Sequence, residues 1–164
     1  MDYQSYQNNI SKEEHIIAKP EKWDLRFLEL AKFISAWSKD PSTKVGAVIV
    51  DAKRRIVGVG YNGFAPKVHD TEERYHNREL KYKLICHAER NAILSANKSC
   101  ENCTLYTWPF QPCATCTGMI IFSGIKRCVA PKASQEHNER WQYEFEISKT
   151  MMKEAEIKLD IIAK

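Results

Sequence analysis

The sequence predicts a three-layer α/β domain, in which helices cover both faces of a central sheet. Short apolar runs that suit buried strands alternate along the chain with longer stretches of helical periodicity. Their order is helix, hairpin, helix, strand, helix, strand, helix, strand, which is typical of α/β proteins. A length of 164 residues suits one domain with one hydrophobic core.

The N-terminal part of the chain divides into a polar extension and a helix. Residues 1–19 are polar and carry little pattern, so we expect a partly disordered extension before a single domain over 20–164. After Pro20, apolar residues recur at the spacing of one buried helix face. They are Trp23, Phe27, Leu30, Ala31, Ile34 and Trp37. Pro41 disfavours helical backbone at Asp40, so we expect the helix to end over residues 38–41.

A β-hairpin and a long loop are expected next. Residues 45–50 and 56–60 are apolar runs, and the polar residues 51–55 between them suit a turn. Asn62-Gly63 is a turn signal, but no strand pattern follows it. We therefore predict that residues 60–63 open a long polar loop over 64–83. Loops of this length in a compact domain are usually functional.

The second half of the chain continues the alternation of helices and strands. The pattern predicts helices over 85–96 and 113–123, strands over 105–107 and 125–130, a long final helix and a last strand over 157–162. Gly124 is expected to end the second of these helices. The buried face of the final helix is predicted to contain Trp141, Phe145, Ser148, Met152 and Ala155.

Composition and charge narrow the classes of function. The formal net charge is only +4, and no cluster of Lys and Arg marks a nucleic-acid face. No apolar run is long enough to span a membrane, and the N-terminus lacks the apolar region of a signal peptide. We therefore expect a cytoplasmic protein without membrane or nucleic-acid partners. In that compartment the six cysteines are expected to be metal ligands or buried thiols, with Cys128 a buried thiol.

Four residues in two short motifs predict a catalytic zinc site. His87, Cys113 and Cys116 supply the imidazole and thiolate ligands that zinc prefers, and both cysteines lie at the start of a predicted helix. Three protein ligands leave a fourth position for water, whose pKa the metal lowers towards neutrality. Glu89 is about 200° from His87 on a regular helix. At a helix start, however, His87 can lie at the edge while Glu89 projects into the pocket as the proton carrier.

The cysteines also allow a structural zinc site. Cys100 and Cys103 precede Cys113 and Cys116 by nine intervening residues, which could form a Cys₄ ribbon. Ribbons usually need about 12–20 residues between the two pairs, and the intervening segment contains a good strand. The catalytic interpretation is therefore favoured. A second zinc built from His69, Asp70, Glu72, His76 and Cys86 has irregular spacing, so we expect these to be solvated loop residues.

Several segments, in this order, resemble the deoxycytidylate (dCMP) deaminases of the cytidine deaminase superfamily. The His-x-Glu and Pro-Cys-x-x-Cys motifs are the signature of zinc-dependent nucleobase deaminases. The dCMP branch is indicated by Ser-Lys-Asp-Pro at 38–41 and Gly-Tyr-Asn-Gly at 60–63. Further matching segments are 23–31, 44–50, 58–63, 87–93 and 112–116. The resemblance covers roughly residues 22–130.

This resemblance implies a fold, an activity and partners. The fold is the three-layer α/β/α cytidine-deaminase-like fold, with a mixed sheet of about five strands. The activity is zinc-dependent conversion of dCMP to dUMP with release of ammonia, which supplies dUMP for thymidylate synthesis. The implied partners are the activator dCTP, the inhibitor dTTP, Mg²⁺ accompanying the effector, and further copies of the chain in a homo-oligomer, with a hexamer favoured.

The resemblance also implies roles for residues. Glu89 is implied as the proton shuttle, Asn62 as a contact to the sugar hydroxyl, and the backbone around Ala88 as the holder of the base edge. Lys98 lies about where relatives place a phosphate contact, although a solvated surface lysine is equally expected. Further substrate candidates are Arg26, Ser38 and Lys39. Effector candidates are Gly60, Tyr61, Asn62 and Gly63, and pocket aromatics are Tyr75, Tyr82, Trp108 and Phe110.

Other functions share part of this pattern. A tRNA adenosine deaminase uses the same zinc chemistry, but it predicts a basic face and a C-terminal helix shaped for an RNA stem. Here the final helix mixes acidic and basic residues. Another cytosine-nucleotide deaminase would fit the zinc motif equally well. A non-enzymatic, zinc-stabilised binding module would require Glu89 to be incidental.

Overall fold

A computed structural model describes residues 17–163, which form a mixed six-stranded sheet flanked by helices. The strands of this sheet are β1 Ile17–Ala18, β2 Gly46–Val50, β3 Ile56–Tyr61, β6 Thr104–Trp108, β7 Arg127–Pro131 and β8 Lys158–Ile162. Their spatial order is β1-β8-β7-β6-β2-β3. Strand β2 pairs antiparallel with both β3 and β6, whereas the remaining pairs are parallel. Two further strands, β4 Gly63–Phe64 and β5 Ile85–Cys86, form a separate antiparallel pair.

Helices cover both faces of the sheet. They are α1 Lys22–Ser35, α2 Glu72–His76, α3 Arg78–Leu84, α4 Ala88–Leu94, α5 Ala114–Phe122 and α6 Gln135–Glu154. Alternate residues of β2 point to opposite sides, so Ala47 and Ile49 pack in one core with residues of α4, α5 and α6. Val48 and Val50 pack in a second core against α1. The predicted three-layer α/β/α fold is therefore confirmed, and the two-residue β1 adds a short edge strand to the expected five.

Glycines let the strand β3 and the helix α4 approach closely. A Cβ atom at Gly60 would overlap the backbone of Ala88 and Ala92, and one at Gly58 would overlap the carbonyl oxygen of Ala92. Only glycine therefore allows α4 to lie directly on β3. This contact matters for function because α4 begins beside the candidate site.

A buried ionic network joins α1 to the parallel half of the sheet. Asp24 of α1 accepts two hydrogen bonds from the Arg127 guanidinium, at 2.8 and 2.9 Å. The Tyr106 hydroxyl donates to the same carboxylate at 2.9 Å. Arg127 also donates from Nε to Asp160 of β8 at 2.7 Å. One guanidinium thus connects a helix to two neighbouring strands.

Most predicted elements are found, with shifted ends. Helix α1 ends at Ser35, before the expected 38–41, so the prediction that Trp37 lies on the buried face is wrong: Trp37 is 52% exposed. The predicted helix over 85–96 begins only at Ala88, because residues 85–86 pair with β4. The final helix and strand lie close to the expected positions, with Phe145, Ser148 and Met152 buried.

The prediction of a long polar loop over 64–83 is also wrong. This segment contains α2 and α3, whose first backbone N–H groups are capped by the side chains of Thr71 and Asn77. Tyr75 of α2 is buried and its ring stacks on Phe64. Residues 1–16 of the predicted polar extension lie outside the described residues. Ile17 and Ala18, near its end, form β1. Within residues 17–163, no helix is long and apolar enough to cross a membrane.

Candidate active site

The two predicted metal motifs meet at the starts of two helices. His87 occupies the N-cap position of α4 and Cys113 that of α5, with Cys116 in the first turn of α5. The Nδ1 atom of His87 lies 3.5 Å from the Sγ of Cys113 and 3.3 Å from that of Cys116. The three possible ligand atoms all lie within 4.8 Å of one another. The fold therefore brings together residues that are 26 or more positions apart in the chain.

This cluster fits the ligand preferences of zinc. One imidazole nitrogen and two sulfur atoms form a soft donor set, as zinc prefers. The hydrogen bond from Cys116 and the neighbouring His87 lower the pKa of the Cys113 thiol to about 4. One sulfur is therefore readily available as a thiolate, which is the form that binds metal. Three protein ligands are also the number found in catalytic zinc sites.

Glu89 lies beside the cluster in a buried position. Its side chain is only 4% exposed, and its Oε2 atom is 3.7 Å from the Sγ of Cys116. His87 has extended backbone outside the helix, whereas Glu89 lies in the first helical turn. This difference allows two residues that would diverge on a regular helix to face one site. Burial raises the pKa of the Glu89 carboxyl group, and the nearby His87 acts in the opposite direction.

A cleft that is open to solvent leads to this cluster from the surface. His87, Glu89 and Cys113 line its buried end. The rest of the lining comes from the loop after α1, from the residue after β3, from α3 and β5, from the loop after β6, and from α6. These lining residues are Asp40, Ser42, Thr43, Val45, Asn62, Lys81, Tyr82, Ile85, Phe110, Arg140, Trp141 and Phe145. The expected pocket residues Asn62, Tyr82 and Phe110 are therefore in the cleft.

Asn62 organises one wall of the cleft through its side-chain amide. Its Oδ1 accepts a hydrogen bond from the Val45 N–H at 2.8 Å, and its Nδ2 donates to the Thr43 carbonyl at 2.9 Å. Nδ2 also lies 3.4 Å from Asp40 Oδ2. The amide therefore fixes residues 40–45 against β3, and one lone pair of Oδ1 has no partner within residues 17–163.

A buried ion pair in the same wall was not predicted. The Lys81 ammonium lies 3.1 Å from Asp40 Oδ1 and donates to the Ser42 hydroxyl at 3.0 Å. Both charged side chains are about 95% buried. Lys81 was placed in a polar loop, and its neighbours in sequence gave no sign of burial. The only available signal was Asn77, which marks the start of a helix.

Other candidate substrate residues lie outside the cleft. Lys98 pairs with Asp51 of the β2–β3 turn, Lys39 pairs with Asp70, and Arg26 lies over the Trp23 ring. Ser38 is buried behind the cleft wall, where its hydroxyl donates to the Asn62 carbonyl. The fold does not bring these side chains to the buried cluster.

The remaining aromatic and effector candidates have separate surroundings. Trp108 lies near the Lys32 ammonium on the α1 side of the sheet, and Tyr75 packs on Phe64. Tyr61 is 40% exposed and contacts Trp37 edge to face. Gly60 and Ala88 are buried where β3 meets α4, and Gly63 pairs with Cys86.

The alternative metal sites are not assembled in the described part of the chain. Within residues 17–163, His87, Cys113 and Cys116 are the one group of three or more ligand-type residues close enough to share an ion. Cys100 and Cys103 are buried in the apolar core. Asp70 instead pairs with Lys39, and His76 contacts the Glu72 carbonyl.

Serine substitutions are expected to separate the two zinc interpretations. Cys113→Ser removes a thiolate from the assembled cluster, so we expect the purified protein to lose most of its zinc. Cys100→Ser and Cys103→Ser change only core thiols and are expected to keep one zinc per chain. Metal content is measured by plasma mass spectrometry. Loss of zinc from Cys100→Ser together with retention by Cys113→Ser would favour the Cys₄ ribbon.

Comparison with known proteins identifies the region that contains these residues. Residues 21–132 match the family described as "cytidine and deoxycytidylate deaminase zinc-binding region". A protein of Aliivibrio fischeri, described as an uncharacterized deaminase in the luxG 3′ region, is 39% identical over 138 residues, covering 84% of this chain and 92% of the relative. Human deoxycytidylate deaminase is 36% identical over 114 residues, or 66% of this chain. The chain spans 64% of the length of that human protein.

A solved structure has a similar fold. The dCMP deaminase of cyanophage S-TIM5, in complex with dCMP and dUMP, aligns with a TM-score of 0.68 at 19% sequence identity. The alignment covers 88% of this chain and all of the phage protein. At this identity the likeness concerns the fold, which agrees with the three-layer architecture described above.

Proposed function

Because this chain belongs to the cytidine and deoxycytidylate deaminase family, we propose that it hydrolyses dCMP to dUMP with release of ammonia. One observation carries the proposal: His87, Cys113 and Cys116 meet beside the buried carboxyl group of Glu89, at the inner end of a cleft. This combination suits a metal-assisted hydrolysis with a positioned proton carrier. We further propose that the dUMP formed supplies thymidylate synthesis.

The choice of dCMP draws support from relatives. Several curated proteins similar to this chain are named deoxycytidylate deaminase, among them the human protein. The cleft has a buried end for a pyrimidine and an exposed end that carries an arginine, Arg140. A nucleotide, with an uncharged base and an anionic phosphate, matches these two ends.

In the proposed reaction, Glu89 carries both of the protons that are transferred. Zinc held by His87, Cys113 and Cys116 would supply a water molecule that ionises near neutral pH. The Glu89 carboxylate takes one proton from the attacking water and gives it to N3 of the cytosine ring, as a new bond forms from oxygen to C4. Glu89 then moves a second proton from that oxygen to the amino group. The C4–N4 bond breaks, so water and dCMP yield dUMP and ammonia.

Two further residues are proposed to orient the substrate. The free lone pair of Asn62 Oδ1 is available to accept a hydrogen bond from a sugar hydroxyl. The backbone around Ala88, between the metal ligand and Glu89, is proposed to hold the base edge. Phe110 lines the cleft and is proposed to pack on the pyrimidine.

A substrate panel tests the proposed function. Ammonia release is measured with dCMP, CMP, deoxycytidine, dCTP and a tRNA hairpin as substrates. We expect the highest kcat/KM with dCMP. Ammonia release from CMP alone would indicate that the substrate is a different cytosine nucleotide. Ammonia release from the tRNA hairpin alone would indicate a tRNA adenosine deaminase. Absence of release from every substrate would favour a zinc-stabilised binding module.

Allosteric regulation is proposed from the resemblance. We propose dCTP as activator, dTTP as inhibitor and Mg²⁺ as companion of the effector, with Tyr61 the exposed member of segment 60–63. Substrate saturation is then expected to be sigmoidal without dCTP and hyperbolic with it. A hyperbolic curve that neither nucleotide changes would contradict this proposal.

We propose a homo-oligomer, in which exposed apolar side chains support contact between copies and the resemblance favours a hexamer. Phe122 is 96% exposed and Leu94 is 73% exposed, at the C-terminal ends of α5 and α4. Burying such side chains between copies is favourable. Light scattering is expected to give about six times the 19.0 kDa chain mass, and a monomer would contradict the proposal.

We also propose a cytoplasmic location, where the six free thiols stay reduced.

A further inference from the structure

Two arginines from different helices converge on one tyrosine at the mouth of the cleft. Arg78 of α3 donates a hydrogen bond from Nε to the Tyr82 hydroxyl at 3.3 Å. Arg140 of α6 donates from its terminal nitrogen to the same hydroxyl oxygen. Tyr82 and Arg140 both line the cleft, whose other end contains Glu89. We call Arg78, Tyr82 and Arg140 the basic rim.

Among the described residues, the arginines of the basic rim differ from most other buried or partly buried cations in having no acidic partner. Across residues 17–163, no carboxylate lies at ion-pair distance from Arg78 or Arg140. By contrast, Arg127, Lys81 and Lys98 each contact an aspartate. Burial would raise the pKa of the Tyr82 hydroxyl, but the hydrogen bonds from the two guanidinium groups lower it. The rim therefore favours negative charge at the cleft mouth.

Aromatic packing holds the basic rim in position. The Tyr82 ring contacts the Trp141 ring edge to face, with centroids 6.4 Å apart. Arg78 lies 5.5 Å from the centroid of Tyr82, and Arg140 lies 5.4 Å from that of Trp141. These contacts restrain two long side chains that would otherwise be flexible. They also join α3 to α6, so the rim depends on both helices.

We propose that Arg78 and Arg140 bind the 5′-phosphate of the nucleotide whose base lies beside Glu89. This inference rests on the proposed function and names the phosphate contacts of the same cleft. Each guanidinium has five N–H donors, and only one is used on Tyr82. The remaining donors suit the planar, two-point contacts that arginine makes with phosphate. The Tyr82 hydroxyl serves to position the two guanidinium groups.

The basic rim fits this role better than the residues expected from the resemblance. Lys98 is paired with Asp51 at the β2–β3 turn, and neither residue lines the cleft. Lys39 is likewise neutralised by Asp70. Arg140, in contrast, lines the same cleft as His87 and Glu89, so a single nucleotide can contact both ends.

Paired substrates with and without the phosphate test the proposal. Arg78→Gln and Arg140→Gln are each expected to lower kcat/KM for dCMP by about tenfold to a hundredfold, mainly through a higher KM. Activity on deoxycytidine is expected to stay unchanged, because that substrate lacks the phosphate. Lys98→Gln is the matched control and is expected to behave as wild type with both substrates. Circular dichroism checks that these exposed substitutions leave the fold intact.

Three outcomes would overturn the assignment. They are an unchanged kcat/KM for dCMP in the Arg78→Gln, Arg140→Gln double variant, an equal loss with deoxycytidine, or a loss in Lys98→Gln alone. Calorimetric binding of dCMP to Glu89→Gln, with and without the two arginine substitutions, separates this proposal from the proposed function. If wild type releases no ammonia but dCMP binding still depends on both arginines, only the proposed reaction fails.

Discussion

Replacing Glu89 with glutamine is expected to lower kcat for dCMP by about 10²–10⁴-fold, because an amide cannot carry protons between water, ring and leaving group. The substitution keeps the size and hydrogen-bonding shape of a side chain that is only 4% exposed. The cluster of His87, Cys113 and Cys116 is unchanged, so zinc content is expected to stay at one per chain. Ammonia release in single-turnover and steady-state assays measures the loss, and calorimetry measures retained dCMP binding.

Glu144→Gln provides a matched control for this prediction. Glu144 belongs to α6 and accepts a hydrogen bond from the Ala114 N–H at 3.3 Å, next to Cys113. It is not among the residues that line the cleft. Glutamine can still accept this hydrogen bond, so we expect kcat within a few-fold of wild type. Full activity in Glu89→Gln, or an equal loss in Glu144→Gln, would contradict the proton-carrier role.

The metal cluster was predictable because its residues form two short motifs with chemically unusual side chains. His87 and Glu89 are two positions apart, Cys113 and Cys116 three, and few other uses explain both pairs. The strands and long helices were predictable because the continuous apolar run of β2 and the apolar face of α6 directly reflect burial. Helix ends were less accurate, since His87 lies in extended backbone where the periodicity already suggested helix.

The polar wall of the cleft was not predictable in the same way. Lys81 is buried only because Asp40, 41 positions earlier, folds against it. Arg140 reaches the cleft because α6 packs on α5, and nothing in its own segment distinguishes it from a solvated residue. Trp141 was predicted on the buried face of the final helix, but its place in the cleft was not predicted. The short helices α2 and α3 have too few turns for a clear period, although Thr71 and Asn77 are helix-start signals.

Replacing Arg127 with methionine is expected to lower the free energy of unfolding by about 3–5 kcal/mol. The substitution leaves the carboxylates of Asp24 and Asp160 without the cation between them, and these residues are only 1% and 2% exposed. It also disconnects α1 from β7 and β8. Urea unfolding at pH 7, followed by circular dichroism, measures the change.

Lys158→Met is the control for the loss of a positive charge next to Asp160. The Lys158 ammonium lies 3.1 Å from the same carboxylate, but its side chain is 68% exposed. Exposed ion pairs contribute about 0–1 kcal/mol, so the expected destabilisation is small. If the two substitutions lower the free energy of unfolding equally, the buried network stabilises the fold no more than an exposed ion pair does.

The pH dependence of the Arg127→Met effect distinguishes lost charge pairing from lost packing. In the wild type, burial acts to raise the pKa of Asp24, but Arg127, the Glu21 N–H and Tyr106 outweigh it and hold the pKa below its ordinary value. This contribution to stability is present above the ordinary pKa and is lost as pH falls through the lower folded value. Without Arg127, burial is expected to raise the pKa of Asp24, so protonation then favours the folded state. The destabilisation should therefore shrink between pH 7 and about pH 4, whereas a loss of packing alone predicts a constant difference.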